Sequence, residues 1–208
     1  MLFRVVCLLA LLCPSLLADK AVDVVDRSEA VYSHAGTFFA KFTQVVSTGD
    51  FFDDEKTSGS LTMSYPRKFR IDTPDQVIAS DGDSLWSYSA ENKQVTIDAV
   101  SKSKETVTPA DYLFNFKQNY DLEYDSTTTI DKTSVHKLSL KSKSTDQYVQ
   151  SMKLYLDANN FTVRRVIYRD INDNKITLDF SGWKMGIRVA PEQFRFKTPR
   201  GVEEVRLP

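Results

Sequence analysis

Beyond residue 13 the chain has no cysteine, and in all of its 208 residues there are two histidines. Cys7 and Cys13 both fall in the N-terminal stretch, so the rest of the chain has no disulfide or thiol chemistry and must hold itself together by packing. His34 lies where a first helix should end and His136 lies on a strand. That arrangement offers neither a His-based nucleophile pair nor a metal cluster. No GxSxG, P-loop or dinucleotide glycine pattern is present. Charge of one sign is also lacking: 27 basic and 28 acidic residues leave a net charge of −1, with the signs interspersed, which excludes a nucleic-acid footprint. After the N-terminus no apolar run is long enough to cross a bilayer. The acid-rich piece Phe51–Glu55 reads as a solvated loop. Asp170, Asn172, Asp173 and Asn174 form a turn in which calcium ligation is the weaker reading. No metal, no cofactor and no catalytic residue is expected, and the enzymatic alternative, an exported hydrolase, has no base–nucleophile arrangement behind it.

The N-terminus is an address. Arg4 precedes the apolar run Val5–Leu12, then come Pro14 and small Ala18, followed by charged Asp19 and Lys20. This is the layout of a secretory signal peptide, cleaved after Ala18. Lipidation of a cysteine is disfavoured, because Cys13 follows Leu12 and Cys7 follows Val6 where a small residue belongs. Residues 1–18 are therefore expected to be removed, leaving 19–208 as a single exported, soluble domain.

What the mature chain has is alternation. Ala21–Ser33 carries an apolar stripe of Ala21, Val24, Val25, Val31 and Tyr32, which predicts a helix. Phe38, Ala40 and Phe42 then alternate with polar residues on a strand. A polar loop, Ser47–Ser58, leads to Leu61, Met63 and Tyr65 on the next strand. Ser64–Tyr88 predicts a meander of three strands, Lys68–Asp72, Gln76–Ser80 and Leu85–Ser89, with Pro, Asp and Gly at the corners. Lys93–Asp98 adds another strand. Thr108-Pro109-Ala110-Asp111 predicts a helix start, with Thr as N-cap and Pro in the first helical position, running into the apolar Tyr112, Leu113, Phe114 and Phe116. Strands resume from Tyr120, include a hairpin about residues 172–174, and end on Phe194 and Phe196. About ten to twelve short strands with two or three helices make a mainly β, α+β protein. A long antiparallel sheet must roll up or be covered, so the expected fold is an unclosed antiparallel β-barrel with a helical lid over an apolar cavity.

Ordered motifs carry a resemblance. Phe42-Thr43-Gln44, the strand ending Tyr65-Pro66 with Lys68-Phe69-Arg70, the run Ser80-Asp81-Gly82 with Leu85-Trp86, and the ending Phe194-Arg195-Phe196 with Pro199-Arg200-Gly201-Val202-Glu203 resemble the periplasmic outer-membrane lipoprotein carrier family, LolA. The likeness spans nearly the whole mature chain. It implies a carrier that receives the acyl chains of lipoproteins from an inner-membrane ABC transporter of the LolCDE type and passes them to a LolB-like acceptor at the outer membrane, acting as a monomer.

The resemblance also implies a site. Phe69 and Trp86 become cavity contacts, joined on their strands by Phe42, Leu61, Met63, Ile71 and Tyr88. Tyr112, Leu113, Phe114 and Phe116 become the plug of the lid. The family pattern often places Arg just before the strand proline, where it latches the lid. This chain has Tyr65 there, with Arg67 and Arg70 as the nearby guanidiniums, and Ile71 stands where Trp is usual. A tyrosine offers one hydrogen bond in place of an arginine fork. The alternative from another class is a lipid- or lipoprotein-sensing regulatory domain of the same fold.

Overall fold

The structure, a computed structural model, describes residues 14–48, 53–100, 108–145, 148–169 and 173–207. Helix α1 (Pro14–Ala35) is followed by β1 (Thr37–Ser47), β2 (Glu55–Ser64), β3 (Lys68–Asp72), β4 (Gln76–Ser80), β5 (Ser84–Ser89) and β6 (Gln94–Ala99). Two short helices come next, α2 (Ala110–Leu113) and α3 (Phe116–Asn119). Then follow β7 (Tyr120–Ile130), β8 (Thr133–Ser142), β9 (Ser151–Asp157), β10 (Val163–Arg169), β11 (Lys175–Met185), a 3-10 turn at Pro191–Phe194 and β12 (Glu203–Arg206). All twelve strands belong to one open sheet, in the order β12-β6-β5-β4-β3-β2-β1-β11-β10-β9-β8-β7.

The order has a physical logic. From β1 the chain meanders outward by short turns to β6, then resumes at β7, the opposite edge, and meanders back until β11 pairs with β1. The connection from β6 to β7 must therefore pass from one side of the sheet to the other, and α2 and α3 lie on it. Every described ladder is antiparallel except β6 with β12, which is parallel because the C-terminal segment returns along β6.

Helix α1 buries Ala21, Val24, Val25, Ser28 and Tyr32, a stripe at helical spacing with Ser28 where Val31 had been expected. Gly36, at φ +67, ends it: the Gly36 N–H reaches the Tyr32 carbonyl at 3.1 Å, the left-handed cap that glycine adopts without strain. The expected signal segment, residues 1–18, falls mostly outside the described residues, and α1 runs through Ala18 without a break. The expected hairpin turn about 172–174, and with it the weak calcium reading, also falls in part outside them, although β10 and β11 pair from Arg169↔Lys175 onward.

Three expectations are corrected. The polar loop Ser47–Ser58 is shorter than predicted, since β2 begins at Glu55, paired with Val46. Polar residues on both faces hid this extension, because there the ladder hydrogen bonds, not burial, hold the strand. The apolar helix after Thr108 is broken: Asn115 at φ 63, ψ 19 separates α2 from α3, and Phe114 is extended. Phe194 and Phe196 do not form the last strand. Phe194 ends the 3-10 turn, and the last strand is β12.

Over β4–β6 the sheet buries apolar residues on both faces. The inner core runs through Phe38, Leu61, Met63, Phe69, Leu85, Leu138, Leu154 and Phe180. A second cluster on the outer face buries Ala79, Val95, Ile97 and Phe194, the last only 2 % exposed. The C-terminal segment covers it, with Phe196 stacked on Tyr88 at 4.9 Å between ring centroids. Arg195 Nε donates to Asp81 Oδ2 at 3.0 Å. Burial tends to raise the Asp81 pKa, but the N–H groups of Ser84 and Asp83 together with Arg195 outweigh it and hold the carboxyl below its usual value. Phe194→Ala should empty this outer cluster and cost about 3 kcal/mol, read as a lower urea midpoint.

His136 anchors the other end of the molecule. The Tyr124 hydroxyl lies 3.0 Å from its Nδ1, its ring stacks on Phe161 at 5.9 Å, and from α1 Lys20 sits over Tyr124 and Arg27 over Phe161. Burial, then Lys20 and Arg27, lower its pKa, against a smaller opposing pull from Asp23. The unfolded chain therefore takes up the proton first as pH falls through about 6.5, and stability is lost below that pH. His136→Gln should flatten this part of the stability–pH curve, measured by denaturation between neutral and mildly acidic pH.

Candidate functional site

A cavity of about 320 Å³ lies against the inner face, and both halves of the sheet build it. From β1–β4 come Phe42, Leu61, Ile71 and Ile78; from β10 and β11 come Tyr168, Leu178 and Phe180; Tyr112 of α2 closes one side. The ladder register explains the alignment. Leu61 faces Ile71 and Ile71 faces Ile78, while Phe42 faces Phe180 across the β1–β11 seam.

Gly59 shapes this wall. Phe42 pairs with Gly59, and its ring lies over that position. A Cβ on Gly59 would fall 2.4 Å from the Asp72 carbonyl oxygen and 2.7 Å from the Phe42 ring. Gly59→Val should force β2 and β3 apart and push the ring into the cavity, at a cost of about 1–3 kcal/mol, visible as a lower thermal midpoint.

A second, smaller chamber of about 190 Å³ lies at the other end of α2, lined by Met63, Phe69, Leu85, Val100, Thr108 and Ala110, with Pro66, Arg67 and Ser80 at its edge. The expected cavity residues are thus divided. Phe42, Leu61, Ile71 and Tyr112 share the larger chamber, and Met63 and Phe69 share the smaller one. α2 contributes to both, Tyr112 to the larger and Ala110 to the smaller, and Leu113, Phe114 and Phe116 are at most 1 % exposed. A wider and more open groove of about 690 Å³ along β7–β10 mixes Leu122, Leu140, Met152, Ile167 and Tyr168 with Asp121, Glu123, Lys141, Lys153 and Arg169.

Trp86 and Tyr88 do not join the cavity. Trp86 pairs with Ala79 and Ile97, and Tyr88 with Val77 and Val95, while Leu85 points to the inner core. Successive residues on a strand face opposite ways, so both aromatics belong to the outer face under the C-terminal segment. In the sequence this strand offered two apolar phases, Leu85 and Trp86/Tyr88, and the bulkier one is covered from outside.

The latch expectation also changes. Arg70 is on the outer face, where Nε donates to Asp72 Oδ1 at 2.9 Å and Oδ2 at 3.0 Å. Arg67 is exposed beside the smaller chamber and makes no hydrogen bond or ion pair to a lid residue among the described residues. Tyr65 does meet the α2–α3 segment, but through its ring, 5.0 Å from Phe114. Its backbone N–H is bonded to the Gly36 carbonyl at 2.7 Å.

Around that contact is a continuous aromatic group. Tyr32 touches Phe38 at 4.9 Å, Trp183 at 5.4 Å and Phe114 at 6.3 Å, and Trp183 stacks on Phe180 at 5.6 Å. The Val163 N–H donates to the Tyr32 hydroxyl at 2.9 Å, and Trp183 Nε1 donates to the Val163 carbonyl at 3.0 Å, so both polar tips are satisfied. Burial pushes the Tyr32 phenol well above its ordinary pKa, against the smaller effect of the Val163 bond. Burial also raises Tyr112, with Tyr168 and Asp111 adding to it; its ring opens to the cavity while its surroundings are closely packed.

Sequence reasoning had not singled out Trp183 as a site residue. A bulge between Phe39 and Lys41 on β1 puts one extra β11 residue opposite, and Gly182 supplies the positive φ of +63. Phe180 and Trp183, three apart, can then both point inward. The glycine inside an alternating strand was the available signal.

The two short helices are held unequally. Thr108 donates to Asp111 Oδ2 through its N–H at 2.7 Å and its hydroxyl at 2.8 Å, so the Asp side chain caps the start of α2 where the Thr side chain had been expected to. α3 is tied outward: Lys117 pairs with Asp26 of α1, and the Lys143 ammonium donates to the Lys117 carbonyl at 2.6 Å. Among the described residues α2 meets the sheet through packing alone.

Comparison with known proteins fits this architecture. Residues 33–197 match the family described as "Outer membrane lipoprotein carrier protein LolA". The chain belongs to the LolA family. Curated relatives named outer-membrane lipoprotein carrier protein include one from Xanthomonas oryzae, 29 % identical over 170 residues and covering 79 % of each chain. Another, from Azotobacter vinelandii, is 26 % identical over 215 residues and covers 99 % of each chain. Among solved structures, an uncharacterized conserved protein from Thermus thermophilus superposes with TM-score 0.61 at 16 % identity, covering 90 % of this chain and 99 % of that one. A putative outer membrane lipoprotein-sorting protein domain from Vibrio parahaemolyticus gives TM-score 0.51 at 11 % identity, over 85 % and 97 %. These two share the fold. Among the described residues no helix is long and apolar enough to cross a membrane.

Proposed function

We propose that the protein carries lipoproteins across the periplasm by enclosing their acyl chains. The observation that carries this reading is the apolar cavity built jointly by both halves of the sheet and stoppered by an aromatic-rich segment. In this account residues 1–18 are the export signal. An ABC transporter of the LolCDE type loads the protein at the inner membrane, and a LolB-like acceptor unloads it at the outer one.

The physics of the cargo supports the design. Each buried methylene contributes about 0.8 kcal/mol, so an acyl chain of about fourteen methylenes costs on the order of 11 kcal/mol to expose to water. A multiply acylated protein does not leave a membrane unaided. A carrier has to offer a comparable apolar surface and still give the cargo up. A plug of the protein's own side chains does both: when the cavity is empty the plug covers the apolar wall, and when it is full the plug competes with the cargo.

Tyr112, Leu113, Phe114 and Phe116 serve as that plug. α3 is tied to α1 by Lys117 and Asp26, whereas α2 is held by packing, and Asn115 in the left-handed region sits between them. α2 swings about Asn115, and its displacement joins the two chambers to which it contributes. Cargo then contacts Phe42, Leu61, Ile71 and Ile78 on one side and Leu178 and Phe180 on the other, with Met63 and Phe69 exposed at the far end.

Phe69, at 4 % exposure, is too deeply packed for a charge to be introduced without disturbing the fold. Ile78 is half-buried and faces the cavity. Ile78→Asp should leave circular dichroism unchanged and reduce release of a lipoprotein from inner-membrane vesicles at least about tenfold, since burying an unpaired carboxylate costs more than about 1.4 kcal/mol. Undiminished release by the folded variant would overturn the assignment of this cavity.

A further inference from the structure

The cavity beside Tyr112 is not uniformly apolar. Its floor is Leu61, Ile71, Leu178 and Phe180, but at one end of the strands it opens between Gln44, Thr57, Thr73, Asp75 and Gln76. The register puts these polar groups together. Gln44 near the end of β1 pairs with Thr57 near the start of β2, and the turn between β3 and β4, which holds Thr73, Asp75 and Gln76, lies at the same end.

The turn is fixed by its own bonds. The Gln76 N–H donates to Thr73 Oγ1 at 3.0 Å, the Thr73 N–H donates to the Gln76 carbonyl at 2.9 Å, and the Asp75 carbonyl accepts the Ala90 N–H at 2.9 Å. The mouth therefore holds its shape. Its functional groups are left over: the side-chain amides of Gln44 and Gln76 and the carboxylate of Asp75 make no hydrogen bond or ion pair among the described residues. Asp75 is also the one charged side chain in the cavity lining among the described residues, and no Lys or Arg accompanies it.

We infer that this mouth selects acyl chains by their head: it accepts a chain joined through an ester or amide to an uncharged head and disfavours one whose head carries an anionic phosphate. The inference rests on the carrier reading above. Its chemistry is direct. An amide side chain can donate to an ester or amide carbonyl and accept from an N–H or O–H, so Gln44 and Gln76 suit a neutral linkage at the entrance. A phosphate would meet the Asp75 carboxylate with no cation among the described lining residues to offset it, and like charges at the edge of a low-dielectric pocket repel more strongly than in open water. Membrane phospholipids vastly outnumber any acylated protein cargo at a bilayer surface, and an acidic mouth keeps an apolar cavity from filling with their anionic members.

The test displaces a fluorescent fatty-acyl probe from the protein with three ligands of equal chain length: a monoacylglycerol, an N-acylated dipeptide amide and an anionic lysophosphatidylglycerol. Both neutral ligands should bind roughly fivefold or more tightly than the anionic one, the size expected of an exposed charge contact, and added salt should narrow the gap. Asp75→Asn should bring the ratio close to one. Gln44→Leu should weaken all three ligands, since each chain carries an ester or amide carbonyl, and leave their ratio unchanged. Equal affinity for all three heads, or an unchanged ratio in Asp75→Asn, overturns the inference and leaves the carrier reading standing. Failure of every acyl ligand to bind overturns both.

Discussion

The route from β6 to β7 governs this molecule. Because these strands lie near opposite ends of one sheet, the chain between them has to cross from one side of the sheet to the other. A crossing over an apolar face must itself be apolar, and Leu113, Phe114 and Phe116 make it so. The cover over the concave side is therefore a consequence of strand order, with no added domain. β1 is the complementary element: paired with β2 on one side and β11 on the other, it joins the outgoing and returning meanders. The cavity lies over this joint, which is why its wall draws on both halves.

Burial on the two faces is organised differently. Inside, aromatic rings from α1, β1, β11 and the crossing segment touch one another in a chain from Tyr32 to Phe180, and each fully buried large side chain contributes on the order of 1.5–3 kcal/mol. Outside, a small separate cluster is sealed by the C-terminal segment. The meander β4–β6 is thus held from both sides, while β7–β10 keep a charged outer face that includes Asp125 with Lys137 and Lys153. Burial pulls the Asp125 pKa upward, but the Ser139 hydroxyl and the two ammonium groups prevail and hold it low.

Much of this was legible in the residues. Lys68–Asp72 and Gln76–Ser80 coincide with β3 and β4 because Pro, Asp and Gly mark the corners and each strand has one apolar phase. The motifs that suggested the family lie on the elements that define its fold. Legibility failed where two apolar phases compete. In Leu85–Tyr88, alternation alone does not say which face is dry, and the answer depended on a C-terminal segment about a hundred residues away. It failed again at Trp183, because a bulge changes the period of a strand locally, and at Arg70, whose partner Asp72 lies two residues on along the same face. The chambers themselves are properties of packing, and no spacing in the sequence encodes a volume.

One corner has a further consequence. Where the family pattern often carries an arginine, this chain sets the ring of Tyr65 against Phe114, and Arg67 beside it takes no part. A guanidinium fork is directional and weakens with salt. A contact between rings has a broad geometry, is indifferent to ionic strength, and derives much of its strength from displaced water, with the heat-capacity signature of apolar burial. The Tyr65–Phe114 contact is therefore one that temperature alters more than ionic strength does.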